Sequence, residues 1–179
     1  MVRRLLILAL ALLLAAPAAA AVRVQKHDLY APPPSEAIIY VLPFLTVMVP
    51  DEVATPLFDR FVDELNSWGA SLPGVSYEFV ILKGGREEIP AEWLAGNTYL
   101  TGEIYGYVED SGCCATDITL NNRVQLFQSH SDAPTLILQN PAETFFDHDR
   151  SSLDVERGKL ANQVGSELAT RLLQELVGA

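Results

Sequence analysis

The sequence predicts an α/β (α+β) fold in which a single mixed sheet of about five strands carries two main helices on one face. Short apolar or alternating runs are typical of strands, and longer runs with helical spacing are typical of helices. Along the chain they give the order strand, helix, strand, strand, strand, strand, helix. Two longer segments, 51–68 and 151–177, space their apolar residues as helices do, so each has one apolar face. The last strands are joined by short connections, which favours an antiparallel meander.

The start of the chain has the features of a secretory signal peptide. Arg3 and Arg4 precede an apolar run, and the small residues 18–20 fit a cleavage site. We therefore predict cleavage near Ala20 and export to the periplasm, with a retained signal anchor as the alternative. No cysteine lies near this site, so no lipid anchor is predicted. The predicted organisation is a signal peptide (1–20), a proline-rich N-terminal arm (21–36) and a single α/β domain (37–179).

The chain is acidic. It has 12 basic and 23 acidic residues, and cleavage would remove two basic ones and leave a net charge of −13. This balance argues against nucleic acid and anionic membranes as partners, because both are bound through basic patches. Solubility alone is the more direct explanation of the acidic charge.

The first half of the predicted domain contains two strands around a helix. The continuous apolar run 37–45 is typical of a strand buried on both faces, and Pro43 marks a bulge or the strand's end. The helix 51–68 follows, and Gly69 fits its end. The strand 75–82 comes next, and this order favours a parallel pair.

The third predicted strand begins at Tyr99 and alternates with period two. One face carries Leu100, Gly102, Ile104, Gly106 and Val108. Its two glycines indicate that a helix backbone lies close against them. The opposite face is aromatic and hydroxylated, which suits a half-wet contact surface. We interpret it as the candidate binding face, made of Tyr99, Thr101, Tyr105 and Tyr107, with an ordinary amphipathic strand as the alternative.

Two strands and a long helix complete the predicted domain. The strand 117–127 alternates, and the strand 135–146 is expected to bend near Pro141. In the last helix, 151–177, leucines stepping by four form a stripe wide enough to cover a sheet. Small residues beside the stripe would let this helix approach the glycines of the third strand closely: Ala161, Gly165 and Ala169.

The sequence contains no catalytic signature. Asp147-His148-Asp149 is the only compact cluster of metal-capable groups, but consecutive residues of a strand alternate in direction and cannot all converge on one ion. A polar junction that caps the last helix is the simpler interpretation. No catalytic, cofactor-binding or metal-binding residue is therefore assigned, and we expect a protein that is not an enzyme. A hydrolase of unknown type remains a distant alternative.

Cys113 and Cys114 are adjacent, in a predicted turn between two strands. An exported compartment is oxidising and allows disulfides. Adjacent Cα atoms are about 3.8 Å apart, whereas ordinary disulfides need roughly 4.4–6.8 Å. A vicinal disulfide would therefore be strained, and two free thiols or bonds to another chain are the alternatives.

Several segments together resemble a known group of domains. They are the apolar strand ending Val41-Leu-Pro-Phe44, the amphipathic helix, the opening Asn97-Thr-Tyr-Leu-Thr-Gly-Glu103 of the meander, and the closing helix. The sequence resembles the α/β domain shared by the N-terminal part of the translocation protein TolB, the curli secretion lipoprotein and small envelope-assembly lipoproteins. The resemblance covers residues 37–177 and implies an envelope accessory domain that works by protein contact. Many small members carry a lipobox cysteine, which this chain lacks.

These observations predict a non-enzymatic periplasmic accessory protein for envelope assembly or secretion. Its partner would be an envelope protein, bound by the candidate binding face or by an exposed sheet edge. The alternative is a periplasmic small-ligand or glycan-binding module, in which the tyrosines stack on sugars.

Overall fold

The computed structural model describes residues 37–69 and 77–178. The predicted signal peptide and proline-rich arm lie outside these ranges. Among the described helices, none is long and apolar enough to cross a membrane. The elements are β1 (Ala37–Val41), β2 (Leu45–Thr46), α1 (Asp51–Gly69), β3 (Tyr77–Ile81), α2 (Ala91–Gly96), β4 (Tyr99–Ser111), β5 (Ala115–Phe127), β6 (Leu136–Gln139), β7 (Ala142–Asp147) and α3 (Leu153–Gly178).

The predicted mixed α/β architecture is confirmed. The strands lie in the order β3-β1-β4-β5-β6, with β2 also beside β4 and β7 also beside β5. As expected, β1 and β3 are parallel, and β4 pairs antiparallel with β5, which in turn pairs antiparallel with β6 and β7. Within the described residues, the sheet has seven strands rather than about five. The additional strands arise because the chain is interrupted around Pro43 and Pro141, and proline cannot donate to a ladder.

The main core lies between one face of the sheet and the helices α1 and α3. Along α3, the predicted leucine stripe is buried, and Leu160, Leu168 and Leu172 are at most 2% exposed. Among the small residues of α3, Gly165 serves helix–helix contact. A Cβ atom at Gly165 would lie 2.5 Å from the carbonyl oxygen of Leu57 in α1. Gly165 therefore sets the approach of the two helices to each other.

Gly102 and Gly106 do not accommodate a helix backbone, contrary to expectation. The ring of Phe44 occupies the space above Gly102, where a Cβ atom would lie 2.3 Å from it. Phe44 in turn packs on Phe58 and Phe61 of α1. Gly106 has φ +60°, a conformation that suits glycine, and lies in a β-bulge. The two glycines therefore serve an aromatic side chain and a backbone irregularity.

Candidate functional site: the open face of the sheet

The sheet face opposite α1 and α3 is the candidate functional site, and we call it the open face. In β4, Leu100 and Ile104 are fully buried in the main core, so the alternating residues between them project to the other side. Pairing extends these positions into rows across neighbouring strands. The rows are Thr101–Gln125–Ile137, Glu103–Arg123–Gln139, Tyr105–Asn121, Val108–Thr119–Glu143 and Asp110–Asp117–Phe145.

The bulge at Gly106 divides the candidate binding face. Tyr105 pairs with Asn121 and Val108 with Thr119, so Gly106 and Tyr107 together oppose a single residue. Beyond the bulge, the alternation is inverted. Val108 lies on the open face and is 55% exposed, while Tyr107 packs against the main core. The placement of Tyr107 on the candidate binding face was therefore wrong.

Tyr107 belongs to a polar cluster that joins β4 to α3. Its hydroxyl donates to the Glu109 carboxylate, and the Arg157 guanidinium binds Glu109 at 2.7 and 3.0 Å. Burial and the hydrogen bond to Glu109 raise the pKa of Tyr107 to about 12. The hydrogen bonds from Arg157 hold the pKa of Glu109 below its ordinary value. This cluster attaches the first turns of α3 to the sheet, which is a structural role.

Tyr99 is on the predicted side of the strand, but it is buried. It is 5% exposed and stacks on Phe127 with ring centroids 4.9 Å apart. These rings form a second, smaller core with Leu42 and Leu94. The short helix α2 supplies Leu94 to this core. The segment containing α2 covers one end of the open face, so Tyr99 cannot contact a partner there.

Thr101 and Tyr105 remain on the open face, both half-buried. Thr101 lines a cavity of about 400 Å³ at the point where the chain passes from β1 to β2. Polar and apolar groups share its walls, among them Pro43, Leu45, Arg86, Glu103 and Gln125. A cavity of this size and mixture can hold a small ligand.

The open face combines paired charges with exposed apolar residues. Glu103 and Arg123 form a salt bridge of 2.5 Å near its centre. Ile137 and Phe145, on the outer strands, are 50% and 66% exposed. A mixture of tyrosine, large apolar side chains and paired charges is typical of protein contact surfaces.

The sequence analysis missed Ile137 and Phe145. The sequence does contain a signal for Ile137. A strand projects alternate residues to opposite faces, so Ile137 must face away from the side that Leu136 and Leu138 share. Phe145 and Phe146 likewise cannot face the same side, and Phe146 is the buried one.

The edge of β2 is a second feature of this surface. In the described part of the chain, β2 pairs only with β4, which leaves its other edge open. The residues beside that edge are apolar and exposed: Leu45 63%, Val47 43% and Met48 92%. An open edge can accept an additional strand from a partner.

The two other candidates from the sequence meet at the far end of the β4–β5 hairpin. The backbone N–H of His148 donates to the carbonyl oxygen of Cys114 at 2.8 Å. The His148 ring contacts the Thr116 hydroxyl at 2.8 Å. Within residues 37–69 and 77–178, no three His, Cys, Asp or Glu side chains converge on a common point for a metal ion. Cys113 and Cys114 are exposed free thiols.

Comparisons with known proteins concern the fold. No family model matches the sequence, and no curated protein matches it. Protein XCC0632 from Xanthomonas campestris, of the DUF330 family, is 11% identical with a TM-score of 0.51, and the match covers 83% of this chain and 89% of that one. Lipoprotein GNA1162 from Neisseria meningitidis is 14% identical with a TM-score of 0.46, covering 75% and 99%. A minor lipoprotein from Acinetobacter baumannii is 11% identical with a TM-score of 0.45, covering 78% and 92%. The chain thus shares its fold with a solved bacterial protein, XCC0632, while the likeness to TolB remains a prediction.

Proposed function

We propose that this chain is a non-enzymatic accessory protein of the bacterial envelope that holds a protein partner on its open face. The observation that carries the proposal is the open face itself, which the described helices α1 and α3 leave uncovered. It presents Tyr105 beside the exposed side chains of Ile137 and Phe145. Tyrosine and phenylalanine are enriched at protein interfaces, and tyrosine is among the residues that supply most of the binding energy there.

The open edge of β2 supports the same proposal. A partner strand added there would obtain main-chain hydrogen bonds, and the exposed Leu45 side chain lies on the open face because it pairs with Glu103. Edge and face would thus contribute to one continuous contact. The predicted export signal supports the location of this contact in the periplasm.

Site-specific photocrosslinking in the bacterium that carries the gene tests the proposal. A photoreactive amino acid is placed at Tyr105 or Ile137 on the open face. Val155 of α3 is the matched control, since Ile137 and Val155 are both 50% exposed. We expect one discrete protein adduct from the two open-face positions and none from the control.

A pair of charged substitutions completes the test. Ile137→Glu should remove the adduct formed from position 105, because a charge would be desolvated in the contact. Val155→Glu should leave the adduct unchanged, and thermal melts should show both variants folded. Equal adducts from all three positions, or an unaffected adduct in Ile137→Glu, would refute the proposal.

The cavity beside Thr101 favours a second candidate function, the binding of a small ligand or glycan. A ligand that binds only the folded state raises the melting temperature with concentration. A glycan panel should then give a saturable rise that Gln125→Leu, which removes a polar group of the cavity wall, abolishes. If no glycan of the panel raises the melting temperature of the wild type, the small-ligand function is refuted and only the protein-contact function stands.

A further inference from the structure

The two cysteines lie at the tip of the hairpin formed by β4 and β5. Both are exposed, and their Sγ atoms are 3.1 Å apart. The backbone N–H of Gly112 donates to the carbonyl oxygen of Ala115 at 2.9 Å and closes the loop beneath them. The loop therefore holds two thiols in mutual contact and within reach of an external disulfide.

The contact affects the chemistry of the thiols. The hydrogen bond with the neighbouring Cys113 thiol raises the pKa of Cys114 above its ordinary value. A thiolate is the species that attacks a disulfide, so the reaction of this pair depends on pH. The hydrogen bond between the two sulfur groups also shows that no rearrangement of distant elements is needed to bring them together.

Adjacency limits the stability of any bond between the two sulfurs. Their Cα atoms are separated by one peptide unit, about 3.8 Å, and an unstrained disulfide needs roughly 4.4–6.8 Å. Strained and exposed disulfides are the readily reduced ones, and they are more often regulatory than structural. The loop thus favours a bond that forms by proximity and is easily broken.

The loop is also connected to the end of β7. The His148 backbone N–H donates to the Cys114 carbonyl oxygen, and its ring contacts Thr116, which is 2% exposed. Thr116 in turn contacts the Ser111 hydroxyl at 2.9 Å. A change in the Cys113–Cys114 backbone would therefore alter the position of His148.

We propose that Cys113 and Cys114 form a reversible vicinal thiol–disulfide couple, whose oxidation disturbs the contact between the hairpin loop and the end of β7. The oxidant is an external disulfide, either a small molecule or a protein. One cysteine thiolate attacks this disulfide, forms a mixed disulfide and releases one external thiolate. The neighbouring thiolate then attacks the protein sulfur of the mixed disulfide and expels the second external thiolate. The protein loses two electrons and two protons, and the external disulfide becomes two thiols.

The test uses the full chain in glutathione buffers that run from oxidised glutathione alone to a large excess of reduced glutathione. Free thiols are trapped by alkylation and the intact mass is measured. We expect a monomeric species that has lost the mass of two hydrogen atoms, and its conversion back to the dithiol within this range of buffers. Cys113→Ser and Cys114→Ser are the controls, because each retains one thiol and can form only mixed or intermolecular disulfides.

The amide resonance of His148 reports the coupling to β7. It should shift on oxidation of the wild type and not in the variant that carries both Cys113→Ser and Cys114→Ser, which has no thiol to oxidise, under the same buffers. The couple is overturned if only mixed disulfides or dimers form, if the thiols never oxidise, or if the bond survives excess reduced glutathione. The coupling is overturned if the vicinal disulfide forms while the His148 resonance stays unchanged.

Discussion

Two glycines of the same helix should respond in opposite directions to one added methyl group. Gly165 lies in the interior of α3 where the helix meets α1, and an added Cβ atom would lie 2.5 Å from the Leu57 carbonyl oxygen and 3.1 Å from the backbone nitrogen of Phe61. Gly158, also inside α3, has no atom within 4 Å of such a Cβ. The two positions therefore share helix context and differ in the space available.

The expected magnitudes follow from two opposing effects. Alanine is favoured over glycine in a helix interior by about 1 kcal/mol, so Gly158→Ala should be stabilising by about that amount. At Gly165 the same gain is offset by overpacking, which costs roughly 1–3 kcal/mol. Because the clash is with backbone atoms of α1, which cannot rotate away, we expect the upper end of that range. The net loss for Gly165→Ala should be about 2 kcal/mol.

Urea unfolding followed by circular dichroism measures both variants. For a chain of this size, 1 kcal/mol corresponds to about 2–4 °C in melting temperature, so thermal melts should separate the two variants by several degrees. An unchanged or increased stability of Gly165→Ala would refute the close approach of α1 and α3 at this point. A loss of stability in Gly158→Ala would show that its surroundings are more crowded than the structure indicates.

Two further predictions concern the core and the polar cluster. Leu172 is fully buried, so Leu172→Ala should lose about 2–5 kcal/mol of unfolding free energy. The control Val177→Ala, at an exposed position, should change the unfolding free energy by no more than about 0.5 kcal/mol. An unchanged urea midpoint for Leu172→Ala would contradict its place in the core. The lowered pKa of Glu109 gives stability that is present above the ordinary Glu pKa and is lost as pH falls through the lowered folded value. The stability difference between wild type and Glu109→Gln should therefore shrink between about pH 7 and pH 3, and a pH-independent difference in urea midpoints would contradict the pairing with Arg157.

Much of the fold could be predicted because its signals are local. The leucine stripe of α3 and the alternation of β4 up to Tyr105 depend on backbone periodicity, and both were placed on the correct faces. The parallel pairing of β1 with β3 follows from the length of the connection between them. The buried side of each element could be predicted because each element has one apolar face, and that face is the one that is buried.

The candidate site could be predicted only in part, because the exposure and direction of its side chains depend on residues of the same chain that are distant in sequence. A glycine in a strand indicates a special backbone or a close neighbour, but not which one. Gly106 adopts a left-handed conformation and inverts the alternation, whereas Gly102 makes room for Phe44. The burial of Tyr99 likewise depends on the segment that follows β3 and contains α2. No periodic pattern in the sequence predicts the path of this segment across the sheet.

The open edge of β2 also bears on the solubility of the chain. Leu45, Val47 and Met48 would serve a second copy of this chain as readily as a physiological partner, since edge strands without protection pair with one another. Mutual repulsion between copies opposes such pairing at neutral pH, because the net charge is −11 for the full sequence and −13 after the predicted cleavage. That repulsion vanishes near the isoelectric point of about 4.6. Acidic conditions should therefore turn a surface that is suited to recognition into one that promotes aggregation.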